Sequence, residues 1–177
     1  MSLRSGMLYR PTFPRTSVNP CCLAALAVVG GCHRVFPQLA STVNVADQST
    51  ANQLLSGYYG PEEKAWCWTE RTFSVMLSPP AGAEERGARI QLRMHISPSQ
   101  IETLGPMTLR VSAGGYPLTP QTFFKPGNYI YSADVPRDAL ATNILPFKFT
   151  FDKATRPGPE EARELAVVVT SVGRKAN

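Results

Sequence analysis

The chain has 177 residues, 43% hydrophobic and 18% charged, with 16 Pro, 13 Gly and 4 Cys. This length suits one ordinary domain with a short appendage, and the composition argues against a multidomain enzyme, a collagen-like chain, a disulfide-dense miniprotein and wholesale disorder. The net charge is +5, but Arg4, Arg10 and Arg15 stand without any acid in residues 1–31, which leaves 15 bases against 13 acids in the rest; no basic stripe of the kind that neutralises a phosphate backbone remains, so nucleic acid is not an expected partner.

Behind the arginines comes an uncharged run from Cys21 to Gly31, closed by Pro20 on one side and His33-Arg34 on the other. A membrane-spanning helix needs about 20 apolar residues, so the run is too short to span and reads as a secretory leader over residues 1–31. Initiation at Met7 instead of Met1 leaves the same leader. Val29-Gly30-Gly31-Cys32 resembles a bacterial lipobox, which implies acylation of Cys32 and a membrane partner through that lipid. A leader cleaved elsewhere, or a buried N-terminal helix, is the alternative. Removal of the leader leaves Cys67 without a disulfide partner in the exported domain, where it reads as a small buried hydrophobe ahead of a reactive thiol.

Residues 32–53 are polar and unpatterned and are expected to form a tether, followed by a domain over 54–174 and a tail at 175–177. From Leu54 onward, short runs of period-two alternation separated by Pro and Gly predict an all-β, antiparallel β-sandwich of jelly-roll type. Phe73, Val75 and Leu77 form one such face. Ile90, Leu92, Met94 and Ile96 form another, with Arg89, Gln91, Arg93 and His95 on its wet side. Leu109 with Val111, Tyr129 with Tyr131, and Phe147, Phe149 and Phe151 continue the pattern, and Leu165 to Val172 reads as a strand buried on both sides. Turns fall at Ser78-Pro79-Pro80, Gly114-Gly115, Lys125-Pro126-Gly127 and Arg156-Pro157-Gly158. Single helical turns are expected at Ser97-Pro98 and at Pro136 to Ala141.

The chain's two histidines, His33 and His95, have no spacing that pairs them with each other or with Cys67, so no metal site and no cofactor are implied. The glycines are turn residues rather than a phosphate-cradling loop. Glu62-Glu63, Glu84-Glu85 and Glu160-Glu161 are paired carboxylates in Pro/Gly-rich connectors, where solvated acids are the ordinary reading; a glycosidase would require folding to bring two of them across a cleft.

The stretch Gly57 to Arg71 concentrates Tyr58, Tyr59, Trp66 and Trp68 and holds both tryptophans of the chain. If Trp66 to Leu77 is one unbroken strand, the tryptophans face away from Phe73, Val75 and Leu77 and lie off the core. A bulge or turn near Thr69-Glu70 would instead turn them inward.

Gly57, Tyr58, Glu62, Trp68 and Thr69 resemble the opening of a bacterial β-sandwich domain, similar to carbohydrate-binding modules, that is attached to glycosyltransferases and other polysaccharide proteins. Cys67 stands where that family commonly has arginine. Glu161-Ala162-Arg163-Glu164-Leu165, followed by Ala166 to Val169, looks like the family's entry into its last strand. The resemblance implies a sandwich in which Tyr58, Trp66 and Trp68 stack on sugar rings while Glu62, Glu63 and Arg71 hydrogen-bond hydroxyls.

The leading expectation is a non-catalytic envelope lipoprotein, exported and lipid-anchored through Cys32. Its domain would lie in the periplasm or at the cell surface and contact glycan or a partner in polysaccharide assembly. A structural lipoprotein with buried tryptophans that meets another envelope protein is the second reading, and a glycoside hydrolase the third.

Overall fold

The computed structural model describes residues 39–140 and 144–177. The leader, Cys32, the first part of the expected tether and the end of the helical turn expected at Ala141 lie outside the described residues.

Among the described residues, ten strands pair antiparallel throughout. They are β1 (Thr42–Asn44), β2 (Leu54–Tyr58), β3 (Cys67–Leu77), β4 (Ala88–Ile96), β5 (Met107–Ala113), β6 (Tyr116–Pro117), β7 (Gln121–Phe123), β8 (Gly127–Val135), β9 (Leu145–Phe151) and β10 (Val168–Ala176). The hydrogen-bonded path runs β6-β5-β9-β3-β10-β4-β8, with β1 on β10, β2 on β3 and β7 on β5. Strand β3 serves two sheets: Cys67 and Trp68 pair with Val169 and Val168 of β10, whereas Thr72–Leu77 pair with β9. The first sheet therefore holds β1, β10, β4, β8 and the start of β3, and the second holds β2, the rest of β3, β9, β5, β6 and β7.

The inward residues of both sheets close one core. Ile90, Leu92, Met94 and Ile96 from β4, with Tyr131, Val169 and Val172, face Phe73, Val75 and Leu77 from β3, with Leu109, Phe147, Phe149 and Phe151. The alternation read from the sequence is the burial pattern observed on β4 and β9. Phe73 and Phe149, opposite one another in register, stack with centroids 5.0 Å apart. Removing one such ring would cost about 3–5 kcal/mol, since the surrounding sheets cannot collapse onto the cavity.

Among the described residues a 3-10 helix (Gln48–Gln53) and three short α-helices connect strands: α1 (Ala83–Arg86), α2 (Pro98–Leu104) and α3 (Arg137–Leu140). The expected starts at Ser97-Pro98 and Pro136 are found, and α2 runs longer than a single turn. Ser97 caps it in a reciprocal box with Gln100, and Pro98 begins it, where its missing N–H costs nothing. Helix α1, which carries Glu84 and Glu85, was not foreseen. Among the described residues no helix is long and apolar enough to cross a membrane.

Two domain boundaries need correction. Residues 39–53 do not form a tether, because Thr42, Val43 and Asn44 pair with Gly173, Val172 and Ser171, and Val43 and Val45 are buried in the core. A strand of three residues gives too little alternation to register in a sequence scan. Gln53 completes the attachment: its Oε1 accepts from Ala40 N at 2.8 Å, and its Nε2 donates to the carbonyls of Ala40 (3.0 Å) and Met76 (2.7 Å). The expected tail is also strand, with Lys175 and Ala176 opposite Arg89 and Ala88.

Replacing Gln53 with Ala would strand the buried backbone groups it serves and should lower stability by about 1–3 kcal/mol. Urea titration with an unchanged slope checks this; a variant as stable as the parent would mean that residues 39–53 are not held to the domain.

Candidate functional site

The β2–β3 connection turns on four residues. Glu62 and Trp66 form a bridge, with Glu62 N donating to Trp66 O at 2.8 Å and Ala65 N to Glu62 O at 3.1 Å. The central residues Glu63 and Lys64 both have left-handed backbones, φ 51° and 54°. Those are the angles of the tight hairpin turn that favours Asn-Gly, and a side chain there costs roughly 1–2 kcal/mol per residue. Strain of this kind persists only where the surroundings impose it.

Pairing then assigns faces, because opposed residues in an antiparallel ladder share a side. Tyr58 lies opposite Thr69, and Tyr59 N donates to Trp68 O at 3.0 Å. Glu62, Trp66, Trp68 and Tyr59 therefore share the outward side, while Tyr58, Cys67 and Thr69 share the inward side. Trp66 and Trp68 are half-buried and meet edge to face with centroids 6.3 Å apart. Burial alternation breaks at Glu70 and Arg71, both exposed, where the β2 register slips, but Cys67 and Thr69 keep the inward parity of Phe73, Val75 and Leu77, so the tryptophans lie off the core.

Across this face lies the segment that leads into β10. Arg163 donates to Glu62 Oε1 at 3.0 Å and to Glu161 Oε2 at 2.8 Å, and its guanidinium lies 5.3 Å from the centre of the Tyr59 ring. The two sequence matches, one near each end of the domain, thus meet in one ion-paired clamp. Arg163 holds the Glu161 carboxyl down to about 2, through its side-chain hydrogen bond first and its backbone amide second. The same bonds raise the Arg163 guanidinium above its ordinary value. Burial first, and then the nearby charge of Glu70, push the Tyr59 phenol up.

The clamp segment is itself fastened from behind. Thr69 exchanges backbone bonds with Val167 and Ala166, and its hydroxyl donates to Val167 O at 3.2 Å. The Gln100 amide of α2 donates to the carbonyls of Leu165 and Ala166. Gly158 N donates to Glu161 O at 2.7 Å and closes the turn before the clamp.

The expected site residues divide accordingly. Trp66, Trp68 and Glu62 come together on the outward face. Glu63 is exposed at the tip of the turn, and Arg71 is exposed with its backbone amide donating to Glu164 Oε2 at 3.2 Å. Tyr58 does not join the aromatic face: its ring packs edge-on against Phe73, its hydroxyl is buried without a hydrogen-bond partner, and burial pushes its pKa well up. Its place is taken by Tyr59, because the register puts Tyr58 inward with Thr69. Tyr59, Glu161 and Arg163 were missed as site residues. Their signals were the adjacent tyrosine and the acid-x-Arg-x-Leu motif, neither of which reveals spatial proximity. Cys67 is buried, with Sγ 3.6 Å from Val45 O, and burial raises its thiol pKa. Among the described residues no group of three or more His, Cys, Asp and Glu is placed to hold a metal ion.

No family model matches the chain, and no curated protein matches it. Among solved structures, it is similar to a family 35 carbohydrate-binding module from Clostridium thermocellum, at 9% identity and TM-score 0.43, over 76% of this chain and 98% of that one. It is also similar to a family 36 carbohydrate-binding module in complex with calcium and xylotriose, at 10% identity and TM-score 0.41, over the same shares. A family GH115 4-O-methyl-α-glucuronidase is similar at 9% identity and TM-score 0.43; 79% of this chain matches only 18% of that enzyme.

Replacing Lys64 with Gly should relieve the turn and raise the unfolding free energy by about 1 kcal/mol, read from the urea midpoint. No gain would mean that the turn is not strained. Glu161 should titrate near 2 by NMR and return towards its ordinary 4.5 in Arg163→Met. Since its folded pKa is depressed, its contribution is present above about 4.5 and is lost as the pH falls towards 2. Solvent screening at this exposed site keeps the effect on global stability small.

Proposed function

We propose that this chain is a non-catalytic, glycan-binding β-sandwich whose binding face is built on Tyr59, Trp66 and Trp68. The observation that carries this reading is the convergence of three half-buried aromatics with the Glu62–Arg163–Glu161 clamp on one outward face. Aromatic planes match the apolar faces of sugar rings, and a charged clamp offers both donors and acceptors to hydroxyls. The motif resemblance supports it, since its two separated halves supply opposite sides of the same site.

Glu62 and Glu161 are two carboxylates in proximity, which a hydrolase would need. The guanidinium of Arg163 occupies the space between them, where a glycosidic oxygen would have to lie. Glu161, held at about 2, carries no proton to donate near neutral pH. The arrangement favours holding a sugar over cleaving one.

The remainder of the proposal is cellular. The lipobox-like Val29-Gly30-Gly31-Cys32 would place a lipid on Cys32 and tether the domain to a bacterial membrane, in the periplasm or at the cell surface. There the domain would engage polysaccharide during its assembly.

Both tryptophans of the chain lie in the site, so intrinsic fluorescence reports on it without a label. Titration with bacterial and plant polysaccharides should shift or quench the emission for at least one glycan. Trp68→Ala should weaken that binding roughly tenfold, equivalent to about 1.4 kcal/mol, with the fold intact by circular dichroism. Emission indifferent to every polysaccharide would sink the proposal.

A further inference from the structure

The aromatic face does not end at β3. Register carries it across the first sheet: Trp68 lies opposite Val168, Val168 opposite His95, and His95 opposite Asn128. With Tyr59, which follows β2, beside Trp68, one row of side chains crosses β3, β10, β4 and β8 on the outward side. A neighbouring row holds Asn44, Ser171, Arg93 and Ile130. From Trp68 to Asn128 is three interstrand steps, roughly 14 Å. That is room for an oligosaccharide and not merely one sugar.

The relief of this face is that of a trough. A recess of about 420 Å³ lies beside the hairpin turn and includes Lys64, Asp47, Asn44 and Ser171, so that it holds one charge of each sign, and another of about 310 Å³ is lined by Arg93, His95, Asn128 and Ile130. Thr170 borders both, at the point where the β10 register slips against β4. The two depressions therefore lie side by side on this face, with Thr170 common to both.

The charge along the far half is one-sided. Arg93 and His95 line the second recess, and no acid does. On the same face, Arg89 is neutralised by Asp134 at 2.8 Å, whereas Arg93 makes no side-chain hydrogen bond or ion pair among the described residues. Its register neighbours Ser171 and Ile130 supply no counter-charge. His95 Nδ1 lies 2.9 Å from Asn128 Oδ1 and donates to it, which fixes the ring and leaves Nε2 outside that bond. An unpaired guanidinium next to an oriented imidazole and an amide suits a carboxylate carried on a polyhydroxylated chain.

We propose that the outward face of the first sheet extends the aromatic site into a trough for an acidic glycan, a uronic-acid-bearing polysaccharide whose carboxylates meet Arg93 beyond the sugar stacked at Trp68. This rests on the glycan-binding reading above and adds the charge of the ligand and the direction in which it runs. Arg93 is the residue that sets specificity for the acid, and Trp68 holds the sugar whatever its charge.

The test is tryptophan fluorescence and calorimetry on the full chain. The probes are polygalacturonate, its methyl-esterified form, alginate and a panel of neutral polysaccharides. At least one acidic glycan should bind about tenfold more tightly than the neutral ones, and esterification should remove that advantage for polygalacturonate. The advantage should also shrink as salt rises, because the pair is solvent-exposed. Arg93→Gln should bring acidic binding down to the neutral level and leave neutral binding unchanged, Arg89→Gln should leave both unchanged, and Trp68→Ala should weaken both. Equal affinity for acidic and neutral glycans, or equal losses from Arg93→Gln and Arg89→Gln, would overturn the trough while leaving the aromatic site standing. Indifference to every glycan, acidic and neutral, would remove both.

Discussion

Strand β3 belongs to both sheets, and the inward parity shared by its two ends is the constraint from which the rest follows. Its inward residues Cys67, Thr69, Phe73, Val75 and Leu77 are buried in the core or lock neighbouring segments to it, while Trp68 stays on the outward side at the position where the strand passes from one sheet to the other. A shift of one residue would bury the tryptophan and expel the phenylalanine, so core and site are determined together. Gly57 on the adjacent strand sits where the β2–β3 register slips. Its backbone is at φ +75°, and a Cβ there would collide with the Thr72 carbonyl oxygen and come within 2.7 Å of Phe73 Cα. Only glycine lets β2 approach β3 this closely while adopting that angle.

The clamp joins residues 101 apart in sequence, and its ion pairs are too exposed to pay for that closure. The ordering comes from buried groups behind it. Thr69, Val167 and Ala166 exchange backbone hydrogen bonds within the core, and Gln100, almost fully buried, reaches over from α2 to the same segment. Arg163 is thus presented to Glu62 and Glu161 by a preformed scaffold. That arrangement suits a binding face, because little entropy remains to be lost when a ligand settles on it.

Elsewhere the fold tolerates polar burial at unequal cost. Gln53 is completely satisfied and ties the first residues of the domain to β3. Arg174 is less well served. It is buried, with one bond to Leu77 O at 3.5 Å and a distant Phe147 ring, while Nε and Nη2 lack hydrogen-bond partners, and burial lowers its pKa. A desolvated cation with so little compensation opposes folding, and the phenylalanine-rich core around it supplies the offset.

Much of the sandwich was legible locally. The alternation in Phe73 to Leu77, Ile90 to Ile96 and Phe147 to Phe151 determined which residues face the core, because side chains on a strand alternate whatever the strand pairs with. The cap at Ser97-Pro98 and the motif residues Gly57, Glu62, Trp68 and Thr69 were visible for similarly local reasons. Strand β1 was not, since three residues carry too short a period, and neither was the continuation of β10 past residue 174. The exchange of Tyr58 for Tyr59 was likewise hidden. Both tyrosines are equally aromatic in sequence, and only the pairing of Tyr58 with Thr69 decides which one turns inward. The meeting of Arg163 with Glu62, and the row from Trp68 to Asn128, depend on which strands become neighbours. Composition and periodicity determined the faces of individual strands; strand order, a long-range property, decided which of those faces became one surface.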